Sequence, residues 1–420
     1  MPAQIIFVNR YFSPDESATS RMLSDLAFRL AASGVPVAIV TSRQLYENAQ
    51  AALAPRESLR GVRVYRVRTA TRGRSTLIGR ALDYVSFHFA AALKLLRILS
   101  RGDVVVAKTD PPLISIVVSW VARWRGAILV NWLQDLFPEV ATALAPGLMP
   151  KWVEGALLAA RDRSLRRAVA NVVLSSGMRD RLLSRAVAPE RIRIVPNWAD
   201  TAAVSPLPSG ESRTRQRLAL GSRLVVGYSG NLGRAHEFDT LLGAARLLRD
   251  EPEFVFLMTG AGALSGGLRR AVDTEGLGNF LFQDYQPVEL LRDSLAAADV
   301  HLVSLLPALE GLIVPSKIYG ILAAGRPAVF IGATGGDLGC VLRDHDCGIA
   351  VSVGDSERLA GELRALYSDR ARLERMGYNA RRLALTRYTS EHAVAEWLVL
   401  LDAISPAAAA VRVPRLVTPP

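Results

Sequence analysis

Cysteine is almost absent from this chain, with two in 420 residues. Cys340 and Cys347 have six residues between them. That spacing fits neither a zinc site nor a redox pair, so two buried thiols in a reducing compartment are expected. No secretory leader is visible, because the first apolar run, Ile5 to Val8, is too short. The expected location is therefore cytoplasmic. No run is suited to crossing a bilayer. Leu77 to Leu99 carries Arg80, Asp83, His88, Lys94 and Arg97, and reads as an amphipathic helix. Leu113 to Ala122 is broken only by Ser115 and Ser119, and its shortness predicts a buried helix. The first strand is not followed by G-x-G-x-x-G, which argues against a dinucleotide site there. Asp344-His345-Asp346 resembles a metal-binding D-x-D but lies in a polar loop away from the other motifs, so no metal is expected. RNA and DNA motifs are missing, so nucleic acid is not an expected partner.

What is present fits two domains. The length is large for one core, and half the residues are hydrophobic. The charge is lopsided. Residues 1–200 hold 28 basic and 15 acidic residues, an excess of +13, and the rest is near neutral. Arg56 to Arg80 carries eight arginines against Glu57 alone. Such a stripe beside an amphipathic helix fits an anionic membrane surface or a lipid pyrophosphate. The alternative is a solvated basic face.

The chain opens with strand Gln4–Val8, a loop, helix Arg21–Ser33 ended by Gly34, and strand Val35–Thr41. That order implies a parallel sheet with right-handed crossovers. In the loop, Ser17 and Arg21 could hold an acceptor phosphate, or could be a helix cap and a surface arginine. Further strands are expected at Gly61–Val67, Asp103–Ala107, Ala127–Trp132, Asn171–Leu174 and Ile192–Val195. Composition changes after Pro196-Asn197, where a Ser-, Pro- and Arg-rich linker follows. Leu224–Ser229 then opens a second parallel sheet, continued by Phe254–Thr259, Phe280–Gln283, Val300–Leu306 and Ala328–Gly332.

The loop after Ser229 reads Gly230-Asn231-Leu232-Gly233-Arg234-Ala235-His236. Small residues let backbone approach a diphosphate, and Arg234 supplies charge. His236 reads as a residue near a helix start, not as a catalyst. Phe254–Thr259 ends in Gly260-Ala261-Gly262. The stretch 302–330 joins a strand, Glu310-Gly311, a Pro315-Ser316-Lys317 turn and a short apolar helix ending at Gly325. Ser316 can cap that helix, and Lys317 adds a full charge to the partial one of the helix end.

The pattern E-G-x-x-x-P-S-K-x-Y-x-x-L-A-A-G-x-P-x-x-F resembles the donor-sugar segment of family-4 retaining glycosyltransferases, in particular the WbuB-like branch that builds O-antigen and exopolysaccharide units. YFSPDESATSR, TDPPL, WLQDLFPE, VPNWAD, GYSGNLGRAHEFDTLL and ADVHLVSLLPALEG extend the resemblance over most of the chain. It implies an α/β fold of two Rossmann-like parallel-sheet domains facing across a cleft, the GT-B arrangement. The acceptor or membrane-facing domain would span 1–200, the linker 201–222 and the nucleotide-sugar domain 223–388. A terminal helix, 389–404, would cross back, and 405–420 would form a disordered tail.

The implied reaction moves a hexosyl group, with retention, from a nucleotide-sugar, UDP-linked, to a lipid-pyrophosphate-linked sugar. The protein would sit on the inner face of the plasma membrane and need no cofactor. Arg234 and Lys317 would stabilise the leaving diphosphate, and Glu310 would bind donor-sugar hydroxyls. Gly230, Asn231, Gly260, Gly311 and Ser316 would complete the donor site, with Tyr285 framing the base. Asp135, in Gln134-Asp135 where relatives often place His-Asp, would orient or deprotonate the acceptor hydroxyl, or else cap the next helix. One departure stands out: the second glutamate, which usually binds ribose, is replaced by Gly320. Two rivals share these features, an epimerase or hydrolase of the same fold and an inactive membrane-docked assembly subunit.

Overall fold

The computed structural model describes residues 4–71, 77–147 and 149–404, excluding the side chains of 77 and 78. The expected tail, 405–420, and Arg72 and Arg74 of the arginine stripe lie outside the described residues. The chain divides into two units, one of Met1–Pro196 with the segment from Ala393, the other of Asn197–His392.

The first unit is built on eight strands: β1 Ile5–Val8, β2 Val37–Ser42, β3 Arg56–Leu59, β4 Val62–Val67, β5 Val104–Lys108, β6 Ile128–Trp132, β7 Ala170–Val173 and β8 Ile192–Ile194. Their order is β3-β4-β2-β1-β5-β6-β7-β8. All pairings are parallel except β3 with β4. β1, β2 and β5 are buried along their whole length, as strands covered on both faces must be. The antiparallel β3–β4 hairpin turns at Arg60 and Gly61, both at positive φ, the backbone a tight hairpin needs. Its first strand was not expected, because Arg-Glu-Ser-Leu alternates between exposed and half-buried positions at a sheet edge.

This hairpin also changes the reading of the arginine stripe. Arg66 is buried, pairs with Glu57 and donates to the Ser13 carbonyl. Arg60 lies 4.5 Å from the Phe28 ring centroid, and Arg56 lies 5.5 Å from that of Tyr65. Arg63 donates to Gln4. Half of the stripe is thus spent inside its own unit. The helix Ile114–Arg125 corrects a second expectation. It buries Ile114, Val118 and Val121 but leaves Trp120 and Trp124 exposed, because the apolar run covers more than one face.

The second unit carries β9 Leu224–Ser229, β10 Phe254–Thr259, β11 Phe280–Gln283, β12 Val300–Ser304, β13 Ala328–Ile331 and β14 Gly348–Val351. They form a wholly parallel sheet in the order β11-β10-β9-β12-β13-β14. Residues 201–222 are packed into this unit. Thr214 donates to Asp293, and buried Arg215 pairs with Asp299 at 3.0 Å. The cysteines are free, Cys347 buried and Cys340 partly exposed, so only one matches the expected pair of buried thiols.

In each sheet the strand order reverses beside the unit's first strand, between β1 and β5 and between β9 and β12. Open parallel sheets bind ligands at the carboxyl ends of the strands at such reversals.

Candidate active site

The reversal in the second unit gathers most of the expected donor residues. β12 ends at Ser304, whose hydroxyl donates to the Glu237 carbonyl and accepts from the Glu237 N–H. The Leu306 N–H donates to the Ala235 carbonyl. These bonds join the loop after β9 to the end of β12. Burial and nearby Lys317 hold His236 down to about 4. Its neutral ring therefore donates from Nδ1 to the Ser304 carbonyl at 2.6 Å, which places it in the site's wall.

Lys317 begins the helix Lys317–Ala323. Its ammonium lies 3.5 Å from the centroid of the Tyr228 ring, and no hydrogen-bond acceptor reaches it. A Cβ built on Gly230 would sit 3.8 Å from Nζ. Burial pulls Lys317 from its ordinary value down to about 7. An unpaired buried ammonium costs free energy, so its setting favours an anion. Ser316 does not cap this helix, contrary to expectation. Its backbone is already αR and its side chain makes no cap hydrogen bond.

The rest of the floor is close-packed backbone. The Gly230 N–H donates to the Thr259 carbonyl, and the Gly260 N–H to that of Gln283. Gly260 has a φ of 127°, and a Cβ there would lie 2.2 Å from the Gly230 carbonyl oxygen. Asn231 is exposed, and its carbonyl accepts from the Tyr228 hydroxyl at 2.7 Å. Arg234 is exposed and makes no ion pair among the described residues. The Tyr285 hydroxyl donates to the Ala261 carbonyl at 3.3 Å.

Glu310 follows a short turn after β12, with Gly311 at a φ of 71°. Its Oε1 accepts from the Asp337 N–H at 2.7 Å, at the start of helix Asp337–Asp344. A Cβ on Gly336 would lie 2.3 Å from the Glu310 carboxyl carbon. Glu310 is thus fixed by the loop after β13. Gly320 is half-buried, and a Cβ there would meet only Leu295, at 3.9 Å. Asp344-His345-Asp346 lies elsewhere. Arg343 pairs with Asp344, Arg375 with Asp346, and Arg387 lies 3.4 Å from the His345 ring.

In the first unit, the loops after β1, β5 and β6 meet at the other reversal. The Gln134 N–H donates to Thr109, and buried Lys108 donates to the Thr19 carbonyl at 2.6 Å. Lys108 lies 4.3 Å from the Trp132 ring centroid. Burial, then Asp110, pushes the Asp135 carboxyl up to about 6, while Lys108 opposes the rise. Lys108 itself is drawn down to about 7 by burial, against the pull of Asp110 and Asp135. Asp135 does not cap the following helix, Glu139–Leu144, whose N-cap is Pro138. Ser17 does not cap its helix, Ala18–Ala32, either. Its hydroxyl donates to buried Asp15. Arg21 is exposed, one turn on. Thr19 joins this loop to Lys108, so Ser17, Arg21 and Asp135 occupy one edge of the sheet. Lys108 was missed, and its signal was a charge closing the otherwise apolar Val-Val-Val-Ala-Lys run.

Residues 17–198 match the glycosyl transferase 4-like domain family, and residues 223–369 match glycosyl transferases group 1. The chain belongs to the family-4 glycosyltransferases. It is 31% identical over 239 residues to the putative colanic acid biosynthesis glycosyl transferase WcaI of Escherichia coli, an alignment covering 56% of this chain and 58% of that protein. It is 26% identical over 277 residues to the probable glycosyltransferase WbjE of Pseudomonas aeruginosa, covering 66% of this chain and 68% of that one. The crystal structure of Anabaena HepE in complex with UDP superimposes with a TM-score of 0.71 at 16% identity, over 95% of this chain and all of that one. The glycosyltransferase therefore has the GT-B fold, with a parallel-sheet unit matching each of the two family domains.

Proposed function

We propose that this glycosyltransferase moves a hexosyl group, with retention of configuration, from a nucleotide-sugar to a hydroxyl of a lipid-pyrophosphate-linked sugar in cell-surface polysaccharide synthesis. The observation that carries the donor half is the buried, unpartnered ammonium of Lys317 beside Gly230. Breaking the bond between sugar and diphosphate develops charge on the leaving phosphate. Lys317, exposed Arg234 and the backbone N–H groups of the β9 loop supply the compensating field, the kind of stabilisation expected to dominate. Those two cations do what a divalent ion does in other phosphate chemistry, so turnover needs no metal. Glu310, anchored by the Asp337 N–H, receives donor-sugar hydroxyls. Tyr285 frames the base.

Asp135 orients the acceptor hydroxyl, and Arg21 takes an acceptor phosphate. UDP is the favoured carrier, by analogy with the UDP held by the structurally similar HepE. The name of WcaI, a putative colanic acid biosynthesis glycosyl transferase, favours a polysaccharide product. The protein would work at the inner face of the plasma membrane, where a lipid-linked acceptor resides. No helix among the described residues is long and apolar enough to cross a membrane.

An inactive assembly subunit fits less well, because a decayed site has no use for a buried unpaired ammonium that burdens the fold. The test is a screen of nucleotide-sugars by thermal shift. Transfer to a lipid-pyrophosphate-linked sugar in EDTA follows, with the product anomer read by NMR. One stabilising donor and a product of unchanged configuration are expected. Donor cleavage or epimerisation without any acceptor would replace transfer with the rival activity.

A further inference from the structure

The long helix Leu77–Ile98 has two contrasting faces. Its inner face buries Phe87, Ala91 and Leu95. Its outer face carries Leu82, Val85, Phe89 and Leu93, which are 49%, 65%, 68% and 38% exposed and recur at helical spacing. The helix Ile114–Arg125 packs beside it. There Trp120 and Trp124, one turn apart, are 55% and 72% exposed and stack with ring centroids 5.4 Å apart. Six large apolar side chains on two neighbouring helices are thus turned to solvent. Apolar exposure on this scale marks an interaction surface.

The exposed charges on these two helices have one sign. The helix Ile114–Arg125 has no acidic residue and ends in exposed Arg123 and Arg125. The long helix has one acid, Asp83, buried 3.5 Å from Arg10. Arg80, Arg97 and Arg101 are exposed beside it. Exposed tryptophan on two helices whose exposed charges are all basic suits the headgroup boundary of an anionic bilayer. A protein partner would have to present an acidic rim around an apolar centre, whereas an anionic bilayer offers both along its whole surface.

We propose that this glycosyltransferase seats on anionic membranes by inserting Trp120, Trp124, Phe89 and Val85 into the headgroup boundary, with the neighbouring arginines meeting lipid phosphates. Insertion then carries more of the binding than the Arg56–Arg80 stripe, four of whose arginines are engaged within the unit. The inference deepens the lipid-acceptor reading, on which it rests for the purpose that docking serves. The inner face of the same helix reaches the acceptor edge. Asp83 holds Arg10 in the loop after β1, and the His88 ring faces the Pro112 carbonyl, 3.1 Å away, in the loop after β5. One helix therefore connects the bilayer to the loops that receive a lipid-linked sugar.

The experiment is co-sedimentation of the full chain with vesicles of phosphatidylcholine and phosphatidylglycerol in equal parts, and with phosphatidylcholine alone. The wild type should sediment with the mixed vesicles and much less with the neutral ones. High salt should release only part of it, since insertion is not screened. Trp120→Ser with Trp124→Ser should lower the partition coefficient by about tenfold or more. The melting temperature should hold, because both side chains are exposed. Transfer to an acceptor with a short, water-soluble lipid should also be unchanged. Wild-type binding by the double variant would overturn the proposal, as would absence of binding by the wild type. A dimer without lipid that the double variant dissolves would assign the face to a second copy and overturn it too. Tryptophan-dependent docking by a protein that transfers to no lipid-linked acceptor would leave the docking standing and remove the functional reading.

Discussion

Replacing Lys317 by methionine should make the unliganded protein more stable and the donor complex weaker. Methionine keeps the apolar stem over Tyr228 and removes the charge. The ammonium falls from its ordinary 10.5 to about 7 in the folded chain. Below pH 7 it is charged in both folded and unfolded chains, and the whole cost of burying it applies. Between pH 7 and 10.5 the unfolded chain holds a proton that the folded chain has released, so stability climbs with pH. At 1.36 kcal/mol per tenfold step, the cost at pH 7 comes to about 4 kcal/mol. Local relaxation returns part of it, and Lys317→Met should gain about 2–3 kcal/mol at that pH. Denaturant titrations from pH 6.5 to 9.5 should show wild-type stability rising toward that of the variant. A diphosphate beside Nζ restores the charged form, so donor binding at pH 8 should take up about one proton. Calorimetry in two buffers of different ionisation enthalpy measures that uptake. A destabilised Lys317→Met, or donor binding without proton uptake, would refute the reasoning.

Arg234→Ala should lose about 1.5–3 kcal/mol of charge-assisted interaction, or roughly 10–150-fold in kcat/KM, and wild-type turnover would exclude it from the site. The acid limb of the rate profile should fall near pH 6, where the Asp135 carboxylate takes a proton. Asp135→Asn should lower kcat by about 100-fold or more and erase the limb, while Lys108→Met should move it to higher pH. A limb that stays put in both variants would remove Asp135 from acceptor chemistry. Gly320→Glu places a carboxylate one turn beyond Lys317, where a Cβ meets only Leu295. It should fold normally and tighten donor KM by about tenfold, and an unchanged KM would place the ribose elsewhere.

The strands were legible wherever burial on both faces made the sequence uniformly apolar, as in Ile5–Val8, Leu224–Ser229 and Phe254–Thr259. Arg56–Leu59 and Gly348–Val351 were not, since an edge strand owes its existence to its partner more than to its own composition. The placement of Lys317 at a helix start and of Glu310 in the loop before it was legible because both lie in one continuous stretch. The anchoring of Glu310 was hidden, because its partner comes from the loop beyond β13, 27 residues on. Ser17 and Ser316 show the limit of capping rules, for both stand at helix starts and neither caps. Lys108 depends on Thr19, 89 residues away, a pairing that local spacing does not encode.

The second unit is one uninterrupted segment, whereas the first is completed by residues after Ala393. Trp397 is fully buried there, 5.9 Å from the ring centroid of Phe7 and 5.1 Å from that of Trp132. A growing chain therefore makes most of the first unit early and receives the last piece of its core at the end. Domains generally fold as units as they emerge from the ribosome. Here the unit that emerges first must wait for its plug, and the unit that emerges second is the one able to close without delay. Released chains that end at His392 are accordingly expected to resist protease within Asn197–His392 and to be cut within the first unit.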